Sequence, residues 1–167
     1  MIPMIERSSA DTNRLRRWQS LTVASLFTGY AGYYICRSNL SVATPLLLDE
    51  YASEGLTKSH IGDVASLGVL AYAGGKLVNG IAADYFGGRR LFLIGMFASV
   101  ICTILFAFSP AFADGLSKIA ISFGLSIPVL MPFFIFWGLN RFVQSMGWGG
   151  LIQMTSRWFS AARLATV

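Results

Sequence analysis

Three cationic side chains lie where cations are expensive. Arg37, Lys76 and Arg141 each fall inside a long apolar run, and no aspartate or glutamate occurs at comparable depth. A charge near the bilayer centre costs at least about 2.5 kcal/mol and usually faces a water-filled path or a partner of opposite sign. With no carboxylate of their own, the three point to an anion arriving from outside. Phosphate suits them, since a guanidinium grips it through a bidentate fork and an ammonium serves as a point charge. At helical spacing Tyr30, Tyr34, Arg37, Ser41 and Thr44 share one face, a polar seam fit to hold such an anion. Other duties stay open for each residue. Backbone carbonyls or a carboxylate on another segment would also satisfy Arg37, and Lys76 sits close enough to a span end to snorkel. Arg141, with Trp137, Gln144, Ser145 and Trp148 on its face, fits a structural role as well as ligand contact, and the tyrosines fit packing equally.

Other chemistries lack their parts. His60 is the one histidine, so no Ser-His-Asp set can form, and there is neither metal-ligand spacing nor a GxxxxGK phosphate loop. No enzyme activity, cofactor or metal is expected. Cys36 and Cys102 fall in apolar runs without CxxC spacing, which reads as two reduced packing residues. The net charge of +5 does not mark a nucleic-acid binder, because the basic residues are scattered over both ends and one short loop.

The elements that position the cations are membrane spans. With 54% hydrophobic residues, 13% charged residues and a mean hydropathy of +0.60, the chain carries about half the charge of a soluble domain. The ~10-residue alternating segments of a membrane β-barrel are absent, so the reading is an all-α polytopic membrane protein lodged in the lipid bilayer. Four spans are expected, at about 21–48, 61–83, 91–108 and 132–159, behind a cytoplasmic tail over 1–17 and ahead of a short tail over 160–167. Trp18 to Leu48 would rise about 45 Å as one helix, which carries Arg37 deep into a ~30 Å hydrocarbon core. That run far exceeds a signal-peptide core and no cleavage site follows it, so it reads as an uncleaved span. Thr57 or Ser59 can cap the second span, Gly55 breaks the loop before it, and the third reads as a lipid-facing wall. Ser109-Pro110 ends the third span. Residues 111–130 fit either a short interfacial helix or an early start to the fourth, broken at Pro128 and Pro132. Setting aside Arg37, Lys76 and Arg141, eight of the lysines and arginines lie on the side of the termini and the 84–90 turn, and Lys58 and Lys118 on the other. The positive-inside rule then places both termini in the cytoplasm.

Two motifs carry a resemblance. Gly80-Ile81-Ala82-Ala83-Asp84-Tyr85-Phe86-Gly87-Gly88-Arg89 resembles the loop between spans two and three of the major facilitator superfamily, with Tyr85 where a basic residue is usual. Arg141 to Gly149 resembles the superfamily's fourth-span motif. Gly29-Tyr30 to Tyr34, Arg37-Ser38-Asn39, Tyr72 to Lys76 and Met146-Gly147-Trp148 look like the organophosphate:phosphate antiporter family. That resemblance implies the first part of a twelve-helix fold, an N-terminal fragment of an inner-membrane carrier. It further implies exchange of a sugar phosphate or glycerol phosphate for inorganic phosphate. Arg37, Lys76, Tyr30 and Tyr34 would contact the substrate, while Gly80, Asp84, Arg89, Arg141, Gln144 and Gly147 would serve conformational change. Ser38, where glycerol-phosphate members often carry a basic residue, leans the expectation toward sugar phosphates. The same family implies two alternatives, a hexose-phosphate sensor that contacts a membrane histidine kinase, or an inactive truncated product.

Overall fold

A computed structural model describes residues 9–54, 56–122 and 131–159. Among them the architecture is all-α: α1 (Ser9–Arg37), α2 (Asn39–Glu50), a 3₁₀ turn (Ala52–Glu54), α3 (Lys58–Phe86), α4 (Gly88–Ala107), α5 (Ser109–Ser122) and α6 (Met131–Trp158). Both α3 and α4 are long and apolar enough to cross a membrane. The 29 residues of α3 rise about 44 Å.

The first apolar run is two helices, not one rod. α1 stops at Arg37, the chain bends at Ser38, and α2 begins at Asn39. The Ser38 hydroxyl donates to the Ile35 carbonyl at 3.0 Å, and the Asn39 side-chain oxygen accepts the Leu40 N–H at 2.9 Å. Such local side-chain bonds compete with the helical ladder and bend it. Pro45 adds a missing donor inside α2. Thr44, a member of the expected seam, gives its hydroxyl proton to the Leu40 carbonyl at 2.8 Å instead of turning it to a ligand.

Elsewhere the boundaries follow local chemistry. Thr57 stands extended ahead of α3, and its N–H donates to His60 Nδ1 at 3.3 Å, so the lone histidine closes a helix start. Only Gly87, at φ +82°, separates α3 from α4; that left-handed value favours glycine. Helix α5 runs through Asp114 and Lys118, ending at Ser122. Residues 123–130, with the expected break at Pro128, lie outside the described residues, as do Gly55, residues 1–8 of the tail and the segment 160–167.

α6 is the centre of the bundle, packed against α3 on one side and α4 on the other. Small residues permit the approach. A methyl group at Gly75 of α3 would stand 3.0 Å from the Phe142 carbonyl, and one at Gly95 of α4 would stand 2.9 Å from the Val143 carbonyl. Accordingly α4 is more than a lipid-facing wall. Gly88, Leu91, Phe92, Gly95, Ser99, Cys102 and Phe106 form a buried stripe at helical spacing, while Ile94, Phe97, Ile101 and Ile104 face outward.

Two apolar clusters hold the bundle. Leu40, Leu47, Ile61, Val64, Phe106, Phe133 and Trp137 make one, and Leu26, Tyr33 and Phe92 the other. Between them on α4 and α6 lie buried polar residues, Ser99, Asn140, Arg141 and Gln144. Outside, Phe27, Ile35 and Leu77 are 76%, 74% and 75% exposed, an arrangement that suits lipid as the solvent and not water.

Candidate functional site

All three cations gather on one ring. The Arg37 and Arg141 guanidinium carbons each lie 5.0 Å from the Tyr72 centroid, and Lys76 Nζ lies 4.9 Å from it. No two of the charges are therefore more than about 10 Å apart. Local sequence sets this up. Tyr72 and Lys76 are one turn apart on α3. Arg37 is the last residue of α1, just before the Ser38 bend, and Arg141 comes from the middle of α6. Further rings complete the contacts: Arg37 over Tyr34 at 5.6 Å, Lys76 over Trp148 at 5.6 Å, and Arg141 over Trp137 at 5.7 Å. Among the described residues these rings and Gln144 are the partners of the three cations. A ring face is negative only as a quadrupole, so the six ring contacts leave the net charge at +3.

The tyrosine stair stands beside this hub. Tyr30 packs edge-on to Tyr34 at 5.4 Å and lies 6.3 Å from the Trp148 ring. Tyr30, Tyr33, Tyr34, Arg37, Tyr72 and Gln144 line one narrow recess. Lys76 borders a neighbouring cavity of about 420 Å³ together with Ser145, Trp148, Gly149, Asp84 and Gln153. Tyr33 is the exception in the stair. Buried against Gly147, it donates its hydroxyl to the Phe92 carbonyl at 2.7 Å and acts as a packing residue. The expected substrate residues Arg37, Lys76, Tyr30 and Tyr34 are thus brought together; Arg141, for which a structural role and ligand contact both stood open, and Gln144, expected as a conformational residue, join them.

Behind the hub runs a chain of hydrogen bonds. Arg141 donates to Gln144 Oε1 at 3.1 Å, and Gln144 Nε2 donates to Asn140 Oδ1 at 2.7 Å and to Ser99 Oγ at 3.2 Å. Ser99 Oγ donates to Asn140 Oδ1 at 3.1 Å, while Asn140 Nδ2 donates to Thr103 Oγ1 at 3.0 Å. Across the other interface Asn79 donates to Ser145 Oγ at 2.7 Å. Low local dielectric strengthens such networks and makes their rupture costly.

Of the remaining motif residues, Gly80 and Asp84 line the cavity that Lys76 borders, farther along α3 from the Tyr72 ring. Asp84 and Arg89 are exposed on either side of the Gly87 turn, and Gly80 is half-buried facing Gly149. The turn itself is fastened by a residue that the sequence reading passed over. Gln153 Oε1 accepts the Gly88 N–H, and Gln153 Nε2 donates to the Ala83 carbonyl at 2.9 Å. A single amide on α6 therefore ties the end of α3 to the start of α4, meeting the Gly88 N–H that the helix start leaves free and sharing the Ala83 carbonyl with the Gly87 N–H. Tyr72 was also missed as a site residue, although its place one turn before Lys76 was a usable signal.

Comparison with known proteins places these residues in context. Residues 26–167 match the family model described as Major Facilitator Superfamily. The membrane sensor protein UhpC of Salmonella typhimurium is 30% identical over 95% of this chain and 31% of its own length. The glycerol-3-phosphate transporter of Bacillus subtilis is 30% identical over 98% of this chain and 33% of its own. A probable hexose phosphate transport protein of Chlamydia trachomatis is 28% identical over 89% of this chain and 28% of its own. The chain spans about a third of the length of these curated relatives. No solved structure matches it.

Proposed function

The chain belongs to the Major Facilitator Superfamily, and we propose that it forms part of a carrier for phosphorylated organic solutes exchanged against inorganic phosphate. One observation carries this reading: three cations share the Tyr72 ring, and their partners among the described residues are rings and an amide. Three positive charges around one ring, with Arg141 buried, Arg37 half-buried and Lys76 open to the neighbouring cavity, call for a mobile anion, and a phosphate ester supplies two charges in one small group. Arg37 anchors the phosphoryl oxygens through its fork, Lys76 adds a point charge from the edge of the 420 Å³ cavity, and Tyr30 and Tyr34 offer hydroxyls along the approach. Transporter relatives named for glycerol 3-phosphate and hexose phosphate support the substrate class. We place the protein in the inner membrane with both termini cytoplasmic, on the eight-to-two split of flanking basic residues. Gly80, Asp84, Arg89 and Gly147 then lie in or beside the segments that move.

The test is exchange in proteoliposomes loaded with phosphate. Labelled organophosphate should enter, and Arg37→Ala should abolish entry; uptake indifferent to that substitution would refute the anchor role. A relative named as a membrane sensor favours a second reading, in which the same site senses the phosphorylated solute and signals to a membrane histidine kinase. Arg37-dependent binding without exchange would select the sensor.

A further inference from the structure

The cation cluster adjoins two cavities of different chemistry. Trp148, Ile152 and Ser156 of α6 line both the 420 Å³ cavity beside Lys76 and a second of about 600 Å³ on the α1 side. Asp84, Ser145 and Gln153 give the first a carboxylate, a hydroxyl and an amide. The second is walled by Val23, Leu26 and Phe27 of α1 and by Leu151 and Ile152 of α6. Helical spacing builds it, since positions 23, 26, 27 and 30 share one face of α1, and 148, 151, 152 and 155 one face of α6. Its two aliphatic hydroxyls turn their protons back onto α6. Thr155 donates to the Leu151 carbonyl at 2.7 Å and Ser156 to the Gln153 carbonyl at 3.0 Å. The described residues that line this groove carry no charge.

One end of the groove meets the cations. Tyr30 and Trp148 line that end; Tyr30 also lines the recess that holds Arg37, and the Trp148 ring lies 5.6 Å from Lys76 Nζ. From Trp148 to Ser156 the groove follows α6 for about 12 Å. Its volume lies within the about 300–1,000 Å³ usual for small-molecule sites. We propose that the ligand is a phosphate monoester with an apolar organic group, its phosphate on Arg37 and Lys76 and its hydrocarbon in the groove between α1 and α6. This deepens the anion-carrier reading and rests on it. Charge sets the ligand's direction: the three cations draw the phosphate toward Tyr72, and the uncharged wall receives the rest. Each methylene fully buried there should tighten binding about fourfold.

The experiment is displacement of ³²P-phosphate from the purified chain in lipid nanodiscs by ethyl phosphate and by n-butyl phosphate. The two carry the same charge and differ by two methylenes. The wild type should favour butyl phosphate by about fivefold or more. Phe27 is exposed and belongs to neither apolar cluster. F27S should therefore cut the preference to about twofold or less while inorganic phosphate binds as before, which also shows that the variant is folded. Phe97, an outward residue of α4 that lines neither cavity, is the control. F97S should keep the full preference, which separates the groove from simple partition of the butyl chain into the bilayer. Equal displacement by both compounds in the wild type, the result if acyl chains of the bilayer fill the groove, would overturn the groove assignment alone. So would a preference that F27S leaves intact, one that F97S lowers as much, or an F27S variant that loses inorganic phosphate too. Failure of either compound to displace phosphate would overturn the anion-carrier reading and this proposal with it.

Discussion

Replacing Arg37 by glutamine should stabilise the empty protein while weakening its grip on phosphate, two effects of opposite sign. Arg37 lies within about 10 Å of both Lys76 and Arg141 through their common contact with Tyr72. At an effective dielectric of about 20, each such pair repels by at least about 1.7 kcal/mol, so the two pairs together disfavour the unliganded fold by about 3 kcal/mol. The substitution also loses the ring contacts with Tyr34 and Tyr72, worth about 1–2 kcal/mol in sum. A net gain of about 1–2 kcal/mol remains, which raises Tm by about 2–8 °C for a chain of this size. Bound phosphate reverses the balance, because the lost fork costs about 1.5–3 kcal/mol of charge-assisted hydrogen bonding. Thermal unfolding in nanodiscs at low ionic strength, with and without phosphate, reads both effects. Added salt should shrink the gain in the empty state by screening. A lower Tm for the variant, with the phosphate-induced shift unchanged, would show that Arg37 is a structural cation and refute the reasoning.

Three further substitutions probe the scaffold. Gly75→Val puts a side chain against the Phe142 carbonyl and Ser145 and should cost about 1–3 kcal/mol by overpacking, seen as a lower Tm. Gln153→Ala removes both bonds that fasten the Gly87 turn; a loss of about 1–3 kcal/mol should appear as faster hydrogen exchange at the Gly88 amide. Asn140→Leu leaves Ser99, Thr103 and Gln144 without their common partner and should destabilise by a similar amount, about 1–3 kcal/mol in thermal unfolding.

The anion site was legible because burial makes charge conspicuous. Arg37, Lys76 and Arg141 stand out in apolar runs whatever the fold. The helical spacing that put Tyr30, Tyr34 and Arg37 on one face depends only on local geometry. What could not be read was which element each charge meets. Tyr72 becomes the hub only when α1, α3 and α6 converge, and that is a tertiary fact. Gln153 likewise looks like an ordinary polar residue until α6 carries it beneath the Gly87 turn. The bend at Ser38 escaped for the opposite reason. The run from Leu21 to Leu48 is mostly apolar on both sides of Arg37-Ser38-Asn39, and the side-chain bonds of Ser38 and Asn39 accompany the division.

The central claim is that the counter-charge of the Tyr72 cluster is a phosphate-bearing ligand. Equilibrium dialysis of ³²P-phosphate against the purified chain in nanodiscs tests it most directly. Saturable binding of one phosphate per chain, lost in Arg37→Ala, is the expected result. Absence of saturable binding, or binding that Arg37→Ala leaves intact, would contradict it.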